Sequence, residues 1–197
     1  MRIVFGGSFD PVHIGHIILA RDVLERFKAK EVIFVPTYLA PLKKTHRASP
    51  EDRLNMLKIA LKKEEKFRVE DYEIRRGGVS YTVYTLRYLK EKLKDELYFL
   101  LGSDSFLKFH LWKEPEEILK LAKIIVVERE GKLDEVRKYI KEKFPHIQEN
   151  RDVFLVRTRR IDISSTEIRH RISKGLSVYC MVPDGVEEYI RKRGLYR

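Results

Sequence analysis

The stretch Gly6-Gly7-Ser8-Phe9-Asp10-Pro11-Val12-His13-Ile14-Gly15-His16, GGSFDPVHIGH, follows directly on the apolar start MRIVF. Adjacent glycines, a hydroxyl, a proline and two histidines make poor core material. They suit a loop that shapes itself around a ligand. Gly6 and Gly7 allow close approach to the main chain, and Pro11 restricts both its own backbone and that of Asp10. Downstream, Ile18, Leu19, Val23, Leu24 and Phe27 recur near a period of 3.6, which predicts a helix from Gly15 to Phe27. Strand, loop and helix in this order bring unpaired N–H groups and a positive dipole end to the loop. His13 and His16, three positions apart, share one face of the first turn. Two imidazoles over a helix start suit phosphate oxygens; a turn carrying surface histidines is the plainer reading that spacing alone leaves open.

Commoner phosphate and metal motifs do not fit. The dinucleotide fingerprint GxGxxG and the phosphate loop GxxxxGK[ST] are absent, and there is neither HExxH nor a cysteine companion for zinc. Further along, EVIFVP (31–36), ELYFLLG (96–102), KIIVVER (123–129) and VFLV (153–156) read as buried strands, and FRVEDYEI (67–74) as one strand or two short ones. Ser49 with Pro50 opens a helix to about Lys62, with Asp52 completing an approximate capping box. Helices are also expected over 80–93, just after Gly102, from Pro115 to Leu121, over 132–143, from Ser164 or Ser165 to 173, and from Pro183 to Arg193. Short strands alternating with helices give an α/β chain, an open parallel sheet with helices on both faces. In such sheets ligands lie beyond the carboxyl ends of the strands. The expected organisation is one domain over 1–197, with 163–197 a helical part packed on it.

Composition bounds the partners. The 197 residues are 43% hydrophobic and 36% charged, with 41 Lys and Arg against 30 Asp and Glu, a formal charge of +11. The basic excess is interleaved with acids, as in LKKEEKF, so a solvated surface explains it better than a nucleic-acid track. RTRR at 157–160 is short and lacks interleaved aromatics, so attraction for phosphate accounts for it equally well. Cys180 is the single cysteine, expected as a small buried hydrophobe. No apolar run reaches a membrane span of roughly 18 residues and no secretory leader precedes the first strand, so a cytoplasmic protein without a membrane partner is expected. Scarce amides beside abundant Lys and Glu fit a heat-adapted source. Oligomeric state is not legible.

A second motif joins the first. HIGH at 13–16 together with ISSTEIR at 163–169 resembles the signature pair of the nucleotidyltransferase superfamily, whose fold is Rossmann-like. GGSFDPVHIGH, APLKK, RRGGVSYTVYTLRYL, LGSDSFLKFHLWKEPEEIL and YCMVPDGVEEYIRKRGLY narrow the likeness to the bacterial nicotinate-nucleotide adenylyltransferase family. That resemblance implies transfer of the adenylyl group of ATP to nicotinate mononucleotide, giving deamido-NAD and pyrophosphate in NAD biosynthesis. It also implies Mg²⁺ bound through the ATP phosphates, with no metal ligands from the chain. His13, His16, Lys43 and Arg169 take the catalytic positions. Gly7, Ser8, Phe9, Gly102, Asp104, Ser164, Ser165 and Thr166 take the ATP and phosphate positions, and Thr85 and Trp112 the nicotinate end. Ala40, Leu42 and Tyr84 depart from the family pattern. Read without the resemblance, Lys43 has a lesser alternative as a surface charge, while Trp112 is equally a core aromatic and Asp104 a helix cap. The alternatives are a nicotinamide-mononucleotide or pantetheine-phosphate adenylyltransferase and, in another class, a nucleic-acid-binding protein.

Overall fold

The structure, a computed structural model, describes residues 1–41, 45–128 and 131–197. In chain order its elements are β1 (Arg2–Gly7), α1 (Ile14–Arg26), β2 (Val32–Pro36), α2 (Pro50–Leu61), β3 (Phe67–Val69), α3 (Tyr72–Arg76), α4 (Thr82–Leu93) and β4 (Leu97–Gly102). They continue with α5 (Ser103–Phe106), a 3-10 turn (Phe109–Leu111), α6 (Pro115–Leu121), β5 (Ala122–Val127), α7 (Leu133–Lys143), β6 (Val153–Val156), α8 (Ser165–Ser173) and α9 (Val186–Arg193). Each strand feeds a helix, the α/β pattern of a Rossmann-like fold. The chain divides into two compact units, one of Met1–Gly6 with Tyr81–Arg160, the other of Gly7–Ser80 with Ile161–Arg197.

In the first unit β4 pairs in parallel with β1 and β5, and β5 with β6. One lateral row runs Val4, Phe99, Ile124, Val153, and all four residues are buried. β4 and β5 are near-continuous apolar runs, LYFLLG and AKIIVV, buried at almost every position. A strand covered on only one face alternates instead, so both faces here are packed. An aromatic cluster completes this core: Phe106 stacks on Phe109 at 5.5 Å, and Phe109 meets Phe144 at 5.6 Å.

In the second unit β2 is buried along its whole length and pairs in parallel with β3, Phe34 opposite Val69. Ser49 caps α2 by accepting the Asp52 N–H at 3.0 Å, with Pro50 at the first helical position. The Asp52 carboxylate takes up a different task from the expected capping box. It accepts the Ser49 hydroxyl at 2.8 Å, the Tyr189 hydroxyl at 2.8 Å and Arg193 Nε at 3.1 Å, docking α9 on α2. Burial pushes this carboxyl up, but the bonds from Tyr189, Ser49 and Arg193 outweigh burial and hold it below the usual aspartate value.

Three expectations need correction. FRVEDYEI is strand only to Val69, and Tyr72–Arg76 is a helical turn. The Glu70 N–H closes the ladder on the Phe34 carbonyl, after which Arg75 returns to the Asp71 carboxylate at 2.7 Å, a helical pairing four residues apart. The last helix begins at Val186 rather than Pro183, because Gly185 at φ +82° is still outside it. Cys180 is exposed, not buried, and sits at φ +60° in the turn after α8.

Candidate active site

The second unit holds both signature motifs. His13 is the extended residue before α1, and its N–H donates to Nδ1 of His16 at 3.2 Å. An Nδ1 that accepts carries no proton, so the ring proton of the neutral imidazole sits on Nε2. The two imidazoles lie 3.7 Å apart, centroid to centroid. Gly15 makes this possible, since a Cβ there would stand 3.0 Å from His13 Nδ1 and 3.1 Å from Cε1. The middle of HIGH is thus glycine to make room for the first histidine. Phe9 turns its ring inward, 2% exposed, with its edge on His16 at 5.1 Å and against Phe34 at 5.7 Å. Its backbone is left-handed at φ +47°, so the main chain of Phe9, not its ring, is what a ligand could meet. Gly7 fits over that ring, where a Cβ would come within 3.0 Å of Phe9 Cζ. Ser8 Oγ lies 3.0 Å from His46 Nε2.

ISSTEIR folds onto the same loop. Ser164 caps α8 by accepting the Glu167 N–H at 3.1 Å, and Ser165 Oγ donates to the Pro11 carbonyl at 2.9 Å. Arg169 Nη1 donates to the Asp10 carbonyl at 2.8 Å and Nη2 to Thr166 Oγ1 at 3.2 Å. Two of its five N–H groups orient the guanidinium and the others remain for an anion. The start of α8 adds a second positive helix end. His13, His16, Gly7, Ser8, Phe9, Ser164, Ser165, Thr166 and Arg169 are therefore brought together. Lys43 lies outside the described residues, as does Leu42.

Sequence reasoning missed the layer underneath. Asp10, 5% exposed, accepts the N–H groups of Arg47 at 2.8 Å and Ala48 at 3.1 Å, and the Tyr196 hydroxyl at 2.8 Å. Burial, then the Asp10 carboxylate, pushes the Tyr196 phenol far above its ordinary value. Arg53, with no exposed surface, donates through Nη1 to the Ser8 carbonyl at 2.7 Å and through Nη2 to the Tyr38 carbonyl at 3.2 Å. Burial lowers its pKa, and Asp10, Tyr196, Glu51 and Glu73 work against that. The signal for Arg53 was present: it stands three and four residues before Met56 and Leu57, on the buried face of α2.

The remaining expected residues lie in the first unit. Gly102 ends β4, and the Asp104 carboxylate pairs with Lys132 at 2.7 Å instead of capping α5. Thr85 is buried on α4 beside Val83 and Leu86. Trp112 is half-buried, its ring 5.4 Å from Phe109 and 6.0 Å from Phe99. Lys113 lies 4.8 Å over the rings of both Tyr81 and Tyr84, and its pKa is raised chiefly by the Tyr84 hydroxyl. Among the described residues no group of three or more His, Cys, Asp or Glu is arranged to hold a metal ion, and no helix is long and apolar enough to cross a membrane.

Comparison with known proteins bears on both units. A family model described as cytidylyltransferase-like matches residues 4–171. A probable nicotinate-nucleotide adenylyltransferase of Aquifex aeolicus (strain VF5) is 76% identical over 168 residues, 85% of this chain and all of that protein. One from Hydrogenobaculum sp. (strain Y04AAS1) is 43% identical over 192 residues, 98% of this chain and 96% of its own. Among solved structures, the Plasmodium falciparum nicotinic acid mononucleotide adenylyltransferase complexed with NaAD superposes with a TM-score of 0.78 at 23% identity, covering 99% of this chain and 96% of that one. That last likeness supports the fold. With both motifs on one loop-and-helix surface and this degree of identity along its length, the chain belongs to the nicotinate-nucleotide adenylyltransferase family.

Proposed function

We infer that the chain transfers the adenylyl group of ATP to nicotinate mononucleotide, releasing pyrophosphate and forming deamido-NAD. The observation that supports this is that His16, Arg169 and the starts of α1 and α8 meet at one loop, a donor set suited to anions. An oxygen of the mononucleotide phosphate attacks the α-phosphorus of ATP, a P–O bond forms, and the bond to the β-phosphate oxygen breaks. The attacking phosphate has its second pKa near about 6 and is already ionised at neutral pH, so no general base is needed. The obstacle is repulsion between anions and charge growing on the leaving oxygens, which positioning and fixed donors overcome. His16 offers Nε2–H, and Arg169 a planar fork suited to phosphate oxygens. In this reading Lys43 adds a point charge, and Gly102 and Asp104 help hold the nucleotides. Trp112, braced by Phe99 and Phe109, stacks on the pyridine beside Thr85.

The donor set around His13, His16 and Arg169 suits anions, and the Asp10 carboxylate is already engaged by two N–H groups and the Tyr196 hydroxyl. Magnesium fits here as an ion carried on the ATP phosphates, with water as most of its other ligands. So carried, it neutralises phosphate charge.

The test supplies ATP and Mg²⁺ with nicotinate mononucleotide, nicotinamide mononucleotide or phosphopantetheine and measures pyrophosphate release. Release with nicotinate mononucleotide well above the other two is expected. Activity confined to either alternative would overturn the substrate assignment. Loss of all ligand affinity with a steep multi-charge salt slope on RNA or DNA would point to the nucleic-acid class instead.

A further inference from the structure

Arg53 itself has no place among the residues assigned above to ATP, and it is fully buried beside Met56 and Leu57 of α2. Desolvating a guanidinium costs several kcal/mol, and an apolar side chain of similar volume is often at least as stable in such a place. Packing alone therefore does not explain an arginine. What the guanidinium does, and a methionine cannot, is bind two carbonyls at once: Ser8 in the loop after β1 and Tyr38 in the segment after β2. One rigid fork ties together the backbone at Ser8 and at Tyr38.

The Ser8 bond also has a direction. In a trans peptide the C=O and N–H point opposite ways, and the Ser8–Phe9 bond is trans. Drawing the Ser8 carbonyl inward to Arg53 turns the Phe9 N–H outward, away from the buried cation. The left-handed backbone of Phe9 is of the kind that aligns successive N–H groups into an anion-binding concavity. The charged and titratable groups acting on Arg53 are Asp10, Tyr196, Glu51 and Glu73, so the cation is balanced within its own unit.

We propose that Arg53 is a positioning residue for adenylyl transfer: it turns the Ser8–Phe9 peptide so that its N–H faces the ATP phosphates, and it locks the loops after β1 and β2 in one arrangement. This rests on the adenylyl-transfer reading above.

The experiment compares the full-length parent with Arg53→Met, Arg53→Lys and Arg53→Ala. It measures thermal unfolding, steady-state kinetics with nicotinate mononucleotide, and calorimetric affinity for a nonhydrolysable ATP analogue. Arg53→Met should keep a cooperative transition while kcat falls at least tenfold and KM for nicotinate mononucleotide stays within about threefold. Arg53→Lys, which keeps the charge but reaches one carbonyl, should fall between. Added guanidinium ion should restore part of the turnover of Arg53→Ala, which a purely structural role would not show. A folded Arg53→Met with kcat within twofold of the parent overturns the proposal. Should that variant not fold, Arg53→Lys decides: parent-like kcat overturns it, and a fivefold or greater loss supports it. An inactive parent would break the substrate reading without touching this one. The analogue then decides, with tenfold weaker binding to Arg53→Met in favour and equal binding against.

Discussion

Gly15→Ala separates stability from activity. Gly15 is the second residue of α1 and its φ is not in the left-handed region, so alanine can adopt its backbone. Inside a helix this exchange gains about 1 kcal/mol in propensity. Against that, the new Cβ would stand 3.0 Å from Nδ1 of His13 and 3.1 Å from Cε1, with Ile161 Cγ2 at 3.6 Å. Comfortable separation between such atoms begins at about 3.5 Å, so the imidazole must retreat by roughly half an ångström. It cannot do so alone, because the His16 ring is only 3.7 Å away, centroid to centroid. Misplacement of a catalytic group by about 1 Å can cost about a hundredfold in rate, so a shift of half that size should cost roughly ten- to thirtyfold. The expected result is an unfolding midpoint equal to or above the parent's, with kcat/KM for ATP down by that factor. Pyrophosphate release and a thermal melt on the same preparation measure both. Parent-level kcat/KM, or a loss of activity matched by a collapse of the melt, would show that Gly15 does not serve the histidine pair.

Three further outcomes are expected. His16→Ala and Arg169→Ala should each lower kcat by about a hundredfold or more, the effect of removing one preorganised donor, with cooperative melts retained; turnover equal to the parent's would remove them from the site. Asp52 is held below the usual aspartate value, so the stability it contributes is full above about pH 3.9 and is lost as pH falls through the lower folded value. Asp52→Asn should lower the midpoint at pH 7 and lose less than the parent between pH 5 and pH 2, and parallel pH curves would exclude this role. Trp112→Leu, which keeps an apolar contact with Phe99 and Phe109, should raise KM for nicotinate mononucleotide by roughly five- to a hundredfold, the worth of one stacking interaction. KM for ATP should stay within about threefold, and equal shifts in both would place Trp112 in the core alone.

The sequence carried the fold where its signals were local and repeated. β4 and β5 are unbroken apolar runs, and Ser49-Pro50 and Ser164 mark helix starts by chemistry that needs no distant partner. The same holds for His13 and His16, whose spacing alone places them on one turn. What was hidden depended on remote residues. Tyr72 to Ile74 look strand-forming, but the ladder ends at Val69 and Asp71 turns to Arg75. Asp52 reads as a cap because its partners Tyr189 and Arg193 are far along the chain. Asp10 reads only as a residue whose backbone Pro11 restricts, and Phe9 as one at the nucleotide. In the structure one is a buried acceptor and the other a buried ring, and only the backbone between Ser8 and Pro11 is left to serve the site. Arg53 was legible by its place on the apolar face of α2, yet arginine is so rarely fully buried that the position reads as exposed.

The bond between Tyr196 and Asp10 spans 186 positions of sequence, and the unit that contains it is completed only by Ile161–Arg197. During synthesis the histidine pair is made long before the hydroxyl that fixes the neighbouring carboxylate. Nearby contacts such as Ser49 with Asp52 can form at once; this one must wait, since long loops close last. A growing chain therefore holds the loop before α1 without this brace until Tyr196 has been made.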